Sequence, residues 1–584
     1  MSNKSIVRRS VSDEQLHALP ESLGAPLRRV LAARGVALSE LDTGLTALLP
    51  VSSLPGTAEA AERLATARQQ QERIVIVGDF DADGATAAAL MMTCLREFGF
   101  DHVDYLVPDR FRFGYGLSAA LIEFALQGCE AARQPPPQLL ITVDNGISSL
   151  EGVSCAAQHG IDVIITDHHL PGDELPAADV IVNPNLPGCE FGSKALAGVG
   201  VAFYVMAALG QRLAADGVLD AAAARVICAN CLDLVALGTI ADLVPLDFNN
   251  RVLVSQGLQR MRGGYSRLGI QALFAAAGRS VTDATAADLG FAVAPRLNAA
   301  GRLEDIVVGI ECLLSEDQSN AETKAQLLSS LNEERKRLQK SMQADADLHI
   351  DSVLQELGDA SIAAACLYDA SWHQGIVGLV ATRIKDRLNR PVIAFARGEN
   401  EGVLKGSGRS VSGVHMRDLL AEIDARHPGL IDRFGGHAMA AGLTLEASAL
   451  EAFRQAFSDA ASAHVKAIPD AGRIWSDGEL QADELGLVLA EQLRTAGPWG
   501  QGFPEPLFDG HFELLSQRLV GEEHLKLSLR HKDGGTPVDA IAFYHGDLLP
   551  AERGTRCRVA YRLDVNEFRG RRGHQLVVEH IECV

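Results

Sequence analysis

The chain has 584 residues, 47% hydrophobic and 22% charged, with a formal net charge of −22. Such a length exceeds one hydrophobic core and implies roughly three or four domains of an ordinary soluble globular protein. The acidic balance excludes a surface coated in basic patches; a local groove can still be positive on an acidic body, so any binding to phosphates is focused rather than diffuse.

Residues 1–60 read as a polar N-terminal lead, and the opening "MSNKSIVRRSVSDEQ" lacks the apolar run of a secretory signal. From 74 to 183, "RIVIVGD", "VDYLVPD", "QLLITVDNG", "IDVIITDHH" and "ADVIVNP" read as buried strands. Helical patterns such as "ATAAALMMTCLREFG" and "LSAALIEFALQG" separate several of them. Near-continuous Val, Ile and Leu between helices predicts a parallel sheet covered on both faces. The most apolar stretches, such as "VGVAFYVMAALG" (199–210), are read as too short to span a bilayer. Cys228 and Cys231 form a CxxC with no second pair at zinc-ligand spacing, so they read as core or helix residues. The ten cysteines show no disulfide-rich pattern and fit a reduced cytoplasm, where the chain is expected to reside. A helical region follows and ends in the charged "LNEERKRLQKSMQADADLHI", which predicts a long connecting helix with "EERKRLQK" on its exposed side. A second α/β pattern begins near 360 with "SIAAACLYDA" and "WHQGIVGLVATRIKDRLNRPVIAFA". Beyond about 468, "HLKLSLR" places Leu525, Leu527 and Leu529 on one face and Lys526, Ser528 and Arg530 on the other. With "HFELLSQRLV", "VDAIAFYHG", "CRVAYRLDV" and "HQLVVEHIE" it predicts a small antiparallel β domain, a five-stranded barrel.

The chemistry concentrates at strand ends. "GDFDADG" sets Asp79, Asp81 and Asp83 within five residues, a density of negative charge that calls for a cation. D-x-D-x-D-G matches the first half of an EF-hand loop, but the twelfth position from Asp79 is Leu90 and a strand precedes the loop. A solvated acidic turn is the plain reading of a lone DxD. Here the cluster lies beyond the carboxyl end of a strand, where open parallel sheets bind ligands. Asp144 ends "LLITVDNG", and Asp167, His168 and His169 end "DVIITDHH", so one sheet edge gathers acids and imidazoles. Carboxylates with imidazole and no nearby Cys suit Mn²⁺ or Mg²⁺. A carboxylate shared by two cations is the arrangement of two-metal phosphoester chemistry. Asp242, a lone acid in "LGTIADLVPL", needs either a hydrogen-bond network or a metal.

These motifs resemble the DHH phosphoesterase family, whose Asp-His-His stands here as Asp167, His168 and His169. Within it the chain is similar to the bacterial single-stranded-DNA exonucleases. The matching pieces are "VGDFDADGAT", "PDRFRFGYGLS", "TVDNGIS", "TDHH", "GTIADLVPL", "APRLNAAGRL", "GRSVSGVHMRDLL", "FGGHAMAAGL" and "GPWGQGFPEPLF", from about 74 to 508. The resemblance implies a multidomain α/β architecture. A parallel-sheet DHH catalytic domain spans 61–245, a helical region and long connecting helix 246–350, a DHHA1 substrate-binding domain 351–465, and a C-terminal OB-fold 466–584.

It further implies two divalent cations, Mn²⁺ or Mg²⁺, on Asp81, Asp83, Asp144, His168 and Asp242, with Asp144 bridging and Asp167 orienting His168. His169 would act on the scissile phosphate. Relatives place a histidine where Val77 stands, which makes Asp79 the natural substitute, either as a ligand itself or just behind the ligands. Arg409, Ser410, Gly435, Gly436 and His437 would hold the strand, although a glycine turn beside a core histidine is the plainer reading of an isolated GGH. Arg296, Asn298 and Arg302, with Arg110 and Tyr115, would form the entry and the pocket for a 5′ end. In "NEFRGRRGHQ", Phe568 with Arg569, Arg571 and Arg572 marks either a strand-contacting tip or a solvated hairpin.

The implied activity is metal-dependent 5′-to-3′ hydrolysis of single-stranded DNA to mononucleotides in repair and recombination. The expected partners are single-stranded DNA, a single-stranded-DNA-binding protein and a RecQ-type or similar helicase, with a monomeric enzyme and no membrane. Two other readings are a DHH phosphodiesterase of oligoribonucleotides or cyclic dinucleotides, and a non-catalytic DNA-binding scaffold. The extra β domain weighs against the first, and the nearly complete ligand set against the second.

Overall fold

A computed structural model describes residues 5–108, 113, 116–357, 363–372, 374–398, 402–411, 413–436, 439–466, 473–521, 523–543, 551–568 and 570–583. The chain divides into two compact units, Arg8–Glu333 with Ser476–Val584, and Glu334–Trp475 with Met1–Val7.

The first unit is built on a five-stranded parallel sheet. Its strands, in spatial order, are Val103–Leu106, Ile74–Gly78, Leu139–Val143, Asp162–Thr166 and Val180–Val182. All five predicted strands are present. Two of the three interior strands, Ile74–Gly78 and Leu139–Val143, are buried at every position, as Val/Ile/Leu runs covered by helices on both faces must be. The order is 2-1-3-4-5 along the sheet, so the chain reverses direction of winding between the first and third strands. At that switch point loops leave the sheet in opposite senses and open a crevice. Register puts Gly78 opposite Val143, and Val143 opposite Thr166. The next residues of the three strands, Asp79, Asp144 and Asp167, therefore stand in a row along one edge.

The helix Ala82–Glu97 is rich in alanine because it is enclosed on nearly all sides. It packs against Gly198–Ala215 and Leu232–Ala241. Gly198–Ala215 corrects the reading of 199–210 as too short for a bilayer. At 18 residues it has the length and composition to cross one, as does the segment Ala221–Ala241, which is broken here into two helices. Both are 72% buried within the protein, so their apolar surface is already covered by the core. Cys228 and Cys231 are buried as expected, and Cys231 Sγ lies 3.7 Å from Cys94 Sγ.

The N-terminal lead is more than a polar tail. Leu19, Leu27, Val30, Leu31 and Leu54 join the main core. From the helix Ala25–Ala33 and its C-cap, Arg29 donates to the Asp477 and Glu479 carbonyls, and Arg34 forms a paired bridge to the Asp477 carboxylate at 2.9 and 3.0 Å. Arg8 binds Asp509 in the same way, at 2.8 and 2.9 Å.

The barrel at the C-terminal end closes in the order Phe508–Val520, His524–His531, Val538–Ala542, Arg571–Cys583 and Arg556–Phe568. Leu525, Leu527 and Leu529 face its interior. One feature departs from an antiparallel reading: Val538–Ala542 runs parallel to Arg571–Cys583. Alternating directions cannot close a ring of five strands, so one neighbouring pair must be parallel. The predicted "NEFRGRRGHQ" loop is mostly strand, with the hairpin turning between Phe568 and Arg571. There Arg572 faces Glu491 at 3.3 Å, while Arg569 lies outside the described residues.

The connecting helix spans Gln318–Leu357. The second unit carries a mixed five-stranded sheet in the order Arg433–Gly436, Ala440–Glu446, Val403–Arg409, Val392–Arg397 and Ala365–Tyr368. Phe395, Phe453 and Phe457 fill the layer between this sheet and the helix Leu450–Lys466.

Candidate active site

The three acids of the loop after Gly78 hold different posts. Asp81 is the N-cap of Ala82–Glu97: its Oδ1 accepts from the amides of Asp83 and Gly84 at 2.9 and 3.1 Å. Asp83 is buried against the N-terminus of Gly198–Ala215 and accepts from the Gly198 and Val199 amides at 2.6 and 2.9 Å. Asp79 is buried and accepts from the Phe80 amide at 2.8 Å.

Across the switch point, Asp144 sits at φ 62°, a left-handed conformation uncommon outside glycine and the Asn/Asp type. Asn145 holds this turn by donating from Nδ2 to the carbonyls of Val77 and Val143, which ties the first and third strands together. His168 Nε2 faces Asp144 Oδ1 at 3.0 Å and Asp242 Oδ2 at 3.6 Å, with Asp242 at the C-cap of Leu232–Ala241. Three sets of donor atoms lie within 4.8 Å of one another: Asp79, Asp81 and Asp144; Asp83, His168 and Asp242; and Asp144, His168 and His169. Asp144 belongs to two of these sets, and so does His168.

Asp167 does not orient the His168 ring, contrary to expectation. Its Oδ1 is 2.8 Å from His169 Nδ1 and accepts the amides of His168 and His169, and its Oδ2 accepts the amide of Ile147. The His168 ring turns to the acids instead. Asn183 and Asn185 donate to the carbonyls of His169 and His168 at 2.9 and 2.6 Å, so the segment is held from behind.

The electrostatics follow from crowding. Burial and the charge of Asp81 push Asp79 up to about 7, and the same two causes push Asp83 up to about 7. Burial, then Asp83 and Asp81, raise both Asp144 and Asp242 well above the ordinary carboxylate range. For His169, burial disfavours the imidazolium, but the hydrogen bond and charge of Asp167 outweigh it and raise the ring to about 9. Burial works against the Asp167 carboxylate as well, yet His169 holds it below its usual range. Buried carboxylates that raise one another are a cavity for positive charge. Oxygen donors with an imidazole suit a divalent cation that prefers oxygen ligands. Val77 has nothing to offer such an ion, since it packs among Leu117, Leu121, Leu140 and Ile165. Asp79 stands where a donor joins Asp81 and Asp144.

The segment "APRLNAAGRL" forms the helix Ala294–Leu303 and backs the acidic loop. Asn298 Oδ1 accepts the Ala82 amide at 2.7 Å, and Gly301 presses so close that a Cβ there would sit 1.8 Å from the Phe80 carbonyl oxygen. Arg296 is buried and donates to the carbonyls of Ala292 and Ala276. Arg302 is exposed, with no ion pair among the described residues. Arg110 and Tyr115 lie outside the described residues.

In the second unit, Arg409 Nη1 donates to Ser407 Oγ and the Gly408 carbonyl. Ser410 is fully buried and donates from Oγ to the Val414 carbonyl at 2.6 Å, closing its own loop. Gly436 has φ 143° and abuts the Ala440 carbonyl, whereas Gly435 is open to solvent. His437 lies outside the described residues. The supporting side chains Asn145, Asn183 and Asn185, and the amides of Gly198 and Val199, escaped sequence reasoning about the acids, and Asn298, expected at the strand's entry, holds the Ala82 amide instead. Only the Asn of "TVDNG" and the paired Asn of "VNPN", each just past a strand, could have signalled them.

Comparison with known proteins gives three family matches in chain order. A model described as "DHH family, N-terminal domain" matches 73–239, "DHHA1 domain" matches 359–463, and "RecJ OB domain" matches 476–580. "Single-stranded-DNA-specific exonuclease RecJ" of Dickeya dadantii is 51% identical over 567 residues, covering 96% of this chain and 97% of that protein. The protein of the same name from Escherichia coli is 48% identical over 578 residues, 98% of each. Among solved structures, RecJ in complex with Mn²⁺ from Thermus thermophilus matches with TM-score 0.76 and 30% identity, covering 100% of this chain and 80% of that one. With likeness running the whole length and all three domains in the same order, the chain belongs to the RecJ family of DHH phosphoesterases.

Proposed function

We propose that this chain is a metal-dependent exonuclease that degrades single-stranded DNA from the 5′ end to mononucleotides. The observation that carries the reading is the overlap of donor sets at the switch point, with Asp144 common to two of them. Asp79 and Asp81 would complete one cation position with Asp144, and Asp83, His168 and Asp242 the other. A pair of Mn²⁺ or Mg²⁺ ions supplies Lewis-acid polarisation of the phosphodiester and acidifies the attacking water. The chain's own part is to hold the acids in place before substrate arrives, through the Asp81 cap, the Gly198 and Val199 amides and the Asn145 clamp. His169, its Nδ1 held by Asp167 and its ring raised to about 9 in the metal-free protein, would offer Nε2–H to a phosphate oxygen or to the leaving oxygen. The five-stranded barrel supports a polymeric substrate, since such barrels bind single strands through groove charge and stacking. The relatives' printed names specify single-stranded DNA.

An enzyme confined to single strands gains substrate when duplexes are opened and coated. The reading therefore includes a RecQ-type helicase and a single-stranded-DNA-binding protein as partners, with a monomeric cytoplasmic enzyme acting in repair and recombination. The deciding assay incubates 5′- and 3′-labelled single-stranded DNA and RNA with Mn²⁺ or Mg²⁺, beside Asp144→Asn. Release of labelled mononucleotide from the 5′ end of DNA, lost in the variant, is expected. Intact DNA with both metals would overturn the reading.

A further inference from the structure

Outside the acidic edge, a second group of metal-ligating side chains lies at the opposite end of the same sheet. Cys155 and His159 belong to the helix Leu150–Gln158 and its C-cap, four residues apart and so on one face. Glu123 comes from the neighbouring helix Ala119–Ala132. His159 Nε2 is 3.0 Å from Glu123 Oε1, and Cys155 Sγ is 3.8 Å from the same oxygen. All three donor atoms lie within 4.8 Å of one another. His159 lies three residues before the start of the strand Asp162–Thr166 and so marks the amino edge of the sheet, whereas the acids mark its carboxyl edge. A five-residue strand separates those edges by roughly 16 Å.

We propose that Glu123, Cys155 and His159 form a second metal site, for one thiophilic divalent cation of the Zn²⁺ class. Zinc bonds of about 2.3 Å to sulfur, about 2.0–2.1 Å to nitrogen and about 2.0–2.2 Å to oxygen, set at tetrahedral angles, imply an N···O edge of about 3.3 Å and an S···O edge of about 3.5 Å. The observed 3.0 and 3.8 Å straddle those edges. His159 pairs with Glu123 Oε1 and the Cys155 thiol donates to that same oxygen, so all three donor atoms already face one point. One thiolate, one imidazole and one carboxylate form a softer set than the all-oxygen-and-imidazole cluster at the acidic edge, so the two sites select different metals. Mg²⁺ and Mn²⁺ suit the acidic edge, and Zn²⁺ suits this one. The Glu123 and His159 side chains are 52% and 39% exposed, so water reaches the fourth vertex. Burial and Glu123 hold the Cys155 thiol above its ordinary range, so binding releases a proton and tightens as pH rises. An ion there would bolt Ala119–Ala132 to Leu150–Gln158, the helix that starts six residues after Asp144.

The test is a Co²⁺ titration of the purified full chain in excess Mg²⁺, which saturates the acidic edge without competing for thiolate. A thiolate-to-Co²⁺ charge-transfer band in the near ultraviolet is expected at one equivalent and is erased by Zn²⁺. The band is lost in Cys155→Ser and His159→Ala, each checked for native far-ultraviolet circular dichroism, and kept in Cys189→Ser. Glu123→Gln, at the exposed side of the cluster, binds Co²⁺ at least about 10-fold more weakly. No band in the wild-type chain, a band that survives Cys155→Ser, or unchanged affinity in Glu123→Gln would each overturn the site as drawn.

Discussion

The acidic edge of the sheet and the base of the barrel both bury aspartates, and they treat them in opposite ways. Asp509 is fully buried, yet Arg8, Ser476 and Arg558 all donate to it. Burial alone would raise its pKa; those partners outweigh it and hold the carboxyl down at about 2. Asp79, Asp83 and Asp144 are as deeply buried, but the largest charges around them are other carboxylates, and all three are raised. A compensated buried charge is part of the scaffold. A cluster left to repel itself, and held in place by amides and asparagines, is a socket for a cation.

Four substitutions and conditions separate these two kinds of acid. Asp144→Asn has the largest expected effect, because asparagine tolerates the left-handed backbone while losing the shared charge. Nuclease activity should fall by well over about 100-fold, beyond what loss of a supporting residue costs. The melting temperature in chelator should not fall, since a repulsion has been removed. Asp509→Asn should do the reverse. It leaves the Arg8 and Arg558 guanidinia short of a counter-ion and costs about 2 kcal/mol in urea unfolding, less than the about 3–5 for a wholly buried pair because Arg8 is 45% exposed. Activity per folded molecule should stay near wild type.

Asp167→Asn should lower kcat by about 10–100-fold and leave Mn²⁺ affinity largely intact, because Asp167 serves His169. The sign on pH is fixed: His169 is raised to about 9 by Asp167, so the alkaline limb of the rate profile should slide down toward 6.5 in the variant. An unmoved limb would remove His169 as the titrating group.

The smallest effect is a pH-dependent thermal shift. Asp79 and Asp83 have folded values near 7 against 3.8 for a free side chain, so the metal-free folded state holds their protons more tightly than the unfolded chain. Their contribution to stability is therefore present at low pH and is lost as pH climbs through about 7. The rise in melting temperature on adding Mn²⁺ should be larger at pH 8 than at pH 6, and an equal rise at both would count against the socket.

Much of this is legible in the sequence. Five apolar runs, four of them ending in acid or histidine, announce a parallel sheet with chemistry at its carboxyl edge, because strand direction forces those ends together. What sequence could not supply is which way a side chain turns. Arg296 and Asn298 look alike as substrate contacts, yet one caps carbonyls and the other anchors the Ala82 amide. Asp167 is nearer in sequence to His168, and only the backbone path decides that its carboxylate serves the His169 ring. The N-terminal lead read as polar because its arginines were visible and their partners, more than 440 residues away, were not. The parallel pair in the barrel follows from ring closure, which no local pattern encodes.

The Arg34–Asp477 bridge also sets a clock. These residues are 443 positions apart, so at roughly 5–20 residues per second a ribosome delivers the aspartate about 20–90 s after the arginine. Throughout that interval the helix Ala25–Ala33 has Leu27, Val30 and Leu31 to cover but lacks the Asp477 carboxylate and the Asp477 and Glu479 carbonyls that will fasten it. A nascent chain stalled before residue 477 should expose this helix to chaperones, and one released after residue 509 should bury it.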